Sequence, residues 1–441
     1  MKKQYLFLIV AALLTLFLGC KNENGYKTLI ITGQNNHNWK ASSPVLKQIL
    51  DETGLFSSEI VITPEKGGDM KAFAPDFSKY KLVVLDYNGD SWSEKTNTAF
   101  VDYVKNGGGV VIYHAADNSF PEWKEYNQIT GLGGWGNRNE KSGPYVYYKG
   151  NEIVRDDTSK GIGGTHGPRS EFLVKTRNFD HPITKGLPAN WLHGNDELYS
   201  LLRGPAENME ILATSFSATR QPRPAEGTTP APAVGATPAR AVITTPAPAA
   251  GNTAVTPRRN FRREGRDEPV LMTISYGKGR IFHTTLGHAD EGGGPAMQCA
   301  GFITTFQRGA EWAVTGNVTQ KIPWDFPSAA GVVLRPNFKE MTLDEAFANI
   351  GKYEITKSTR YLTCIQSQIR NLAGDKKGLL ELEKRMVKVL TGKETTVDAK
   401  KLLLHELGWM GSDYSVAVIK GLVSDAELKD EAEFALSRLK K

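Results

Sequence analysis

Eight histidines punctuate the 441-residue chain, and five stand at predicted strand ends or in the loops that follow strands. The clearest lies in Gly107-Gly108-Gly109-Val110-Val111-Ile112-Tyr113-His114-Ala115-Ala116. Glycines stop a helix, a buried strand follows, and His114 stands where that strand gives way to a loop. In open parallel sheets the ligand crevice lies at the carboxyl ends of the strands, so His114 is the first candidate. His288, in Leu286-Gly287-His288-Ala289-Asp290-Glu291, follows the last predicted strand, and Gly292-Gly293-Gly294-Pro295 then opens a helix. His37 sits in the loop Gly33 to Trp39 after the first strand, and Asn88 in Tyr87-Asn88-Gly89-Asp90 after the third, both expected to bind a polar substrate. Asp196-Glu197 supplies two adjacent carboxylates. Neighbours on an extended segment point opposite ways, so at most one faces the crevice, and the spacing does not say which.

Two kinds of chemistry suit this set. Imidazole titrates near neutral pH, so His114 and His288 with Glu197 or Asp196 can act as acid/base groups. Alternatively, His114, His288 and one carboxylate make three ligands for a divalent metal such as zinc, leaving one position open. No local His-x-x-x-His signature supports the metal, so that reading depends on convergence in space. His166 and Arg169, in Thr165-His166-Gly167-Pro168-Arg169-Ser170-Glu171, suit a sugar or a carboxylate. Trp39 and Trp191, with Trp92, Trp123 and Trp135, are placed in loops, where flat faces can pack on sugar C–H bonds. No Cys-x-x-Cys-His occurs, which excludes covalent haem.

The elements that must position these groups read as α/β. Residues 27–33, 59–63, 81–86 and 109–114 are apolar strands, and helices open at Ser42-Ser43-Pro44 and at Ser93. Apolar strands alternating with helices imply a parallel sheet covered on both faces. Residues 131–170 read as an extended loop with short strands. Further strands follow at 171–176, 209–215, 269–276 and 280–285, the last two joined by a tight turn at Tyr276-Gly277-Lys278-Gly279-Arg280. Residues 217–268 hold eight Pro with many Ala, Thr, Gly and Arg. Such a stretch buries too little surface to offset its ordering entropy, so it is predicted to be a disordered insertion between two strands. Residues 340–441 are helical and resemble stacked HEAT-type helix pairs, a surface on which a protein partner can dock.

Lys2-Lys3, the apolar run Tyr5 to Leu18 and Leu16-Phe17-Leu18-Gly19-Cys20 resemble a lipoprotein signal, with lipid on Cys20 and residues 21–26 as a tether. The expected location is the cell envelope, with the chain anchored to a membrane by lipid. Of the formal charge of +6, Lys2 and Lys3 supply two and residues 220–268 four, so the rest of the chain is neutral. That leaves no folded basic face for nucleic acid. Cys299 and Cys364, in different predicted domains, are expected to be buried free thiols.

Six segments in order resemble the ThuA-like (trehalose utilisation) family: Gly107–Ala116, His181–Pro188, Asp196–Tyr199, Tyr276–Arg280, Leu286–His288 and Arg308–Ala313. The resemblance spans residues 26–320. It implies a flavodoxin-like parallel sheet with flanking helices, similar to class I glutamine amidotransferases, over residues 27–325. It also implies a link to breakdown of glucosides, including 3-keto forms. In those amidotransferases the turn after the equivalent strand carries a nucleophilic Cys. Here it is Tyr113-His114-Ala115-Ala116, so glutamine hydrolysis is not expected. The leading expectation is a lipid-anchored enzyme acting on a glucoside or keto-sugar by hydrolysis, elimination or isomerisation. The alternative is a non-catalytic glycan-binding or assembly lipoprotein with a helical docking domain.

Overall fold

The computed structural model describes residues 25–218 and 265–439. The signal around Cys20, residues 21–24 of the expected tether and most of the proline-rich insertion lie outside the described residues, and Tyr26 belongs to the first strand rather than to the tether. The first half alternates β1 (Tyr26–Thr32), α1 (Trp39–Asp51), β2 (Phe56–Ile62), β3 (Leu82–Leu85), α2 (Glu94–Lys105), β4 (Gly109–Tyr113) and α3 (Lys124–Thr130). Strands β5 (Tyr145–Lys149), β6 (Glu152–Asp156), β7 (Thr165–His166), β8 (Ser170–Thr176), β9 (Asn190–Asp196) and β10 (Tyr199–Ser200) follow. Then come β11 (Met209–Ser217), β12 (Arg266–Tyr276), β13 (Gly279–Thr284), α4 (Gly294–Gln298) and α5 (Ala300–Thr315).

The main sheet runs β2-β1-β3-β4-β13-β12-β11-β8-β9. Strands β2, β1, β3, β4 and β13 are mutually parallel. From β13 onward every neighbour is antiparallel. The sheet expected from the sequence is therefore the parallel half of a larger mixed sheet, because the predicted turn at Gly277 makes a hairpin of β12 and β13. Alternation along the parallel strands builds two cores. Ile30, Val84, Val111 and Phe282 face one, shared with Leu46 and Ile49 of α1 and Phe302 and Phe306 of α5. Leu29, Ile31, Val83, Val110, Ile112 and Ile281 face the other, under Phe100 of α2 and Ile129 of α3. Burial on both faces is why these strands read as continuous apolar runs.

Two boundaries differ from the sequence reading. Helix α1 begins at Trp39, and Pro44 lies inside it. The two serines at its expected start are buried and spent elsewhere: Ser42 Oγ donates to Asp86 at 2.6 Å and Ser43 Oγ to Thr32 Oγ1 at 3.2 Å. Strands β11 and β12 pair out to Ser217↔Arg266, so Ser217 and residues 266–268 belong to the sheet rather than to the insertion.

A strap over residues 323–338 closes the α/β unit. The Arg335 guanidinium grips the Asp325 carboxylate in a buried fork, one arm at 2.8 Å. The strap also bonds across the α4–α5 junction, Ala300 N–H to Val333 O at 2.9 Å and Arg335 N–H to Gln298 O at 2.7 Å. Phe338 plugs into the first core. Beyond it, α6 (Leu343–Ile350), α7 (Arg360–Asn371), α8 (Lys376–Leu390), α9 (Val397–Met410), α10 (Asp413–Leu422) and α11 (Lys429–Leu439) enclose a third core of their own. Cys299 and Cys364 are buried free thiols in different cores.

Candidate metal centre

Strands β1, β4 and β13 are parallel and near neighbours, so their carboxyl ends share one edge of the sheet. Each delivers a histidine there: His37 in the loop after β1, His114 immediately after β4, His288 in the loop after β13. Glu197 comes from the antiparallel side. It follows β9 and is held by the short pair β10–β7, in which Tyr199 lies opposite His166. His114 occupies the left-handed region at φ +45°, an uncommon conformation for a side chain with a Cβ. Gly287 (φ +107°) precedes His288, and a Cβ there would come within 2.6–2.8 Å of the Phe302 and Tyr113 rings.

The four side chains converge. One ligating atom from each of His37, His114, Glu197 and His288 lies within 4.8 Å of all the others. Glu197 Oε2 is 3.3 Å from His37 Nε2, 3.3 Å from His288 Nδ1 and 3.8 Å from His114 Nε2. Ligands bound at about 2.1 Å can stand at most about 4.2 Å apart, so shifts of a few tenths of an ångström per side chain close the set. Three imidazoles and one carboxylate suit a divalent first-row metal. This group could hold one.

Its electrostatics fit that use. His114 Nδ1 lies 2.6 Å from Thr285 O. A carbonyl only accepts, so Nδ1 carries the proton and Nε2 turns its lone pair to the centre, with the Tyr199 hydroxyl 3.2 Å away. Burial, then the neighbouring His37, push the His114 pKa down to about 3, so the ring stays neutral as a ligand must. Burial opposes the charge on Glu197, but the His288 and His37 rings, each 3.3 Å from Oε2, outweigh it and hold the carboxyl well below its usual range. Burial likewise opposes a charge on His288, and Glu197 overrides it, raising that pKa. The buried Nδ1 of His37 has no hydrogen-bond partner among the described residues. Leaving such an atom orphaned costs about 1–3 kcal/mol.

Asp196 does something else. It is fully buried and accepts four hydrogen bonds: Gly287 N–H and His193 Nε2 on Oδ2, Glu197 N–H and His288 N–H on Oδ1, at 2.7–3.1 Å. It therefore sets the backbone of Glu197 and His288 and presents no oxygen to a substrate, which corrects its expected catalytic part. Burial disfavours a charge on His193, but Cys299 and Asp196 beside it raise its pKa to about 9.

Other candidates divide. His114 is 1 % exposed, so the expectation of direct proton transfer between its ring and a substrate is corrected, and its reach is to the centre alone. His166 faces Glu197 Oε1 at 3.8 Å from the open side. Arg169 is a rim residue whose guanidinium binds both oxygens of Asp290, at 2.5 and 2.6 Å. Asn88 donates to Asn36 Oδ1 at 2.7 Å beside the His37 loop. Trp39 opens α1 with Lys40 over its ring, and its N–H donates to His37 O. Trp191 is 0 % exposed, in β9 against Phe326, and cannot meet a substrate. The sequence reading passed over His193 and gave Tyr199 no role. A His three residues before a paired carboxylate was the available signal for His193.

An α/β sheet of amidotransferase type, with a histidine in the cysteine's turn and an imidazole–carboxylate centre around it, defines the class. The chain belongs to the ThuA family, described as trehalose utilisation, whose sequence model matches residues 27–313. That family gives it a carbohydrate-related role. Among solved structures it is similar to a ThuA-like protein of Parabacteroides merdae ATCC 43184, with 48% identity and TM-score 0.60 over 72% of this chain and 100% of that one. A ThuA-like protein of Bacteroides uniformis ATCC 8492 matches at 17% identity and TM-score 0.39, over 73% of this chain and 100% of that one. No curated protein matches the chain.

Proposed function

We propose that this protein is an enzyme of carbohydrate breakdown that acts on a glucoside or keto-sugar at a divalent-metal centre held by His37, His114, His288 and Glu197. The observation that carries the reading is the convergence of four ligating atoms within 4.8 Å at the carboxyl edge of the sheet. A metal there supplies Lewis acidity to a substrate oxygen. The chain's own residues do the rest: Thr285 O fixes the tautomer of His114, Asp196 sets Glu197 and His288, and the Tyr199 hydroxyl points at the His114 nitrogen.

Membrane attachment through lipid on Cys20 is part of the proposal. Among the described residues no helix is long and apolar enough to cross a membrane. The helical region is proposed to dock a protein partner. Its exposed Trp409, with Arg438 3.4 Å over the ring, is available on its surface.

The test is turnover of a panel of glucosides and keto-glucosides by the metal-loaded chain, with and without chelator. Chelator-sensitive turnover that Glu197→Gln abolishes is the expected result. Sugar binding without turnover favours the glycan-binding alternative, and failure to take up metal removes the centre.

A further inference from the structure

We propose that His166 is the acid–base residue for a substrate held at this centre, and that Trp135 beside it is the face on which the substrate's sugar ring stacks. This rests on the metal-centre reading. Four imidazoles surround Glu197, but they do not share its oxygens equally. His37, His114 and His288 approach Oε2, while His166 Nε2 approaches Oε1 at 3.8 Å. His166 stands outside the group whose ligating atoms lie within 4.8 Å of one another. Its side chain is 37% exposed, against 10%, 1% and 15% for the other three. It is thus the one imidazole of the four that a substrate meets on entering.

Its tautomer is set as a base requires. Nδ1 lies 2.8 Å from Gly167 O, which can only accept, so Nδ1 keeps its proton and Nε2 is free to take one. Its place is fixed by pairing with Tyr199, whose ring stacks on His114 at 4.6 Å. The base and a ligand of the centre therefore belong to one packed unit.

Trp135 completes the wall. Its ring centroid is 5.9 Å from His166 and 4.8 Å from Tyr199. Its backbone is left-handed at φ +50°, a conformation costing on the order of 1–2 kcal/mol for an L residue. Gly164 packs beneath it, where a Cβ would come within 2.8 Å of the indole. The fold accepts these constraints to hold an indole, half-buried, beside the imidazole. A pyranose can lay its C–H face on that indole while a polar group reaches Nε2.

In the step proposed, an N–H bond forms at Nε2 as an O–H or C–H bond of the substrate breaks. The electron pair of that bond stays on the substrate, and the same proton later returns to a substrate atom. No co-reactant is consumed.

The experiment compares His166→Gln and His166→Ala with His37→Gln, all in the full chain loaded with zinc. Zinc affinity is read by competition with a chromophoric chelator, and turnover on the sugar panel. His166→Gln should keep zinc affinity within about 3-fold of wild type, whereas His37→Gln should lose more than about 100-fold. His166→Gln should lower kcat by about 10²–10⁴-fold with little change in KM. Added imidazole should restore activity to His166→Ala and not to His37→Gln. Trp135→Leu should raise KM. Loss of zinc affinity in His166→Gln equal to that in His37→Gln makes His166 a ligand and overturns the proposal, as does unchanged kcat. A wild-type chain that binds zinc but turns over no sugar overturns the role of His166 while the centre stands. One that binds no zinc overturns the reading beneath it.

Discussion

His114 Nδ1 lies 2.6 Å from the carbonyl oxygen of Thr285, the residue that follows β13. The last strand of the sheet thus decides which nitrogen the residue after β4 offers to the centre. Metal-ligating histidines commonly have their second nitrogen tied in this way.

His114→Asn separates backbone from ligand. Asn tolerates left-handed φ better than most residues, so the turn at φ +45° should survive. Zinc affinity should fall by more than about 100-fold, while circular dichroism and the apoprotein melting temperature stay near wild type. Retained affinity in a folded variant refutes ligation by His114.

His193 reaches the centre only through Asp196, to which it donates at 2.7 Å. His193→Ala should lower zinc affinity by about 10–100-fold. His193→Gln, which keeps a donor, should recover most of it. Equal affinity in all three proteins would reduce His193 to a packing role.

Asp86 predicts a pH dependence of stability. Burial raises its pKa to about 7 from an ordinary value of 3.8, despite hydrogen bonds from Ser42, Ser43, Asn35 and Thr32. The folded state then keeps a proton that the unfolded chain releases from about pH 4 upward. Its contribution to stability is present below that range and is lost as pH rises to 7, by a few kcal/mol at most, on the order of 3–4. In thermal melts, the melting temperature of Asp86→Asn relative to wild type should climb between pH 4 and 7. A pH-independent difference would show that Asp86 is ionised throughout.

The helical region should be removable, but the cut matters. A chain ending after Met341 keeps the Asp325–Arg335 fork and Phe338, and should melt close to the full chain. One ending at Arg335 loses Phe338 from the first core, costing about 3–5 kcal/mol as a Phe→Ala change in a core does. Equal melting temperatures for the two would show that the strap beyond Arg335 is not part of the α/β unit.

What could be read from sequence follows from how local each signal is. His37, His114 and His288 were identifiable because strand ends in a parallel sheet share one edge, so position along the chain gives position in space. The choice between Asp196 and Glu197 was not, because it depends on where β9 stops. Trp191 was misplaced for the same reason. Its strand, Asn190-Trp191-Leu192-His193-Gly194-Asn195-Asp196, contains no β-branched residue and is extended through pairing with β8. Local propensity carries no trace of that pairing, so His193 was hidden with it. The proximity of Trp135 to His166 is equally non-local, since Gly164 provides the seat.

The wide spacing of the ligands along the chain has a consequence for how the protein is made. His37 and His288 follow strands β1 and β13, which β3 and β4 separate in the sheet, and β13 must insert between β4 and β12 before the set is complete. Contacts of such long sequence separation form late. A nascent or half-assembled sheet therefore offers at most part of the ligand set and holds metal weakly. Metal capture at the proposed centre would then report finished folding. A bound ion would stabilise the native state by mass action and would tie the loop after β13 to those after β1 and β4.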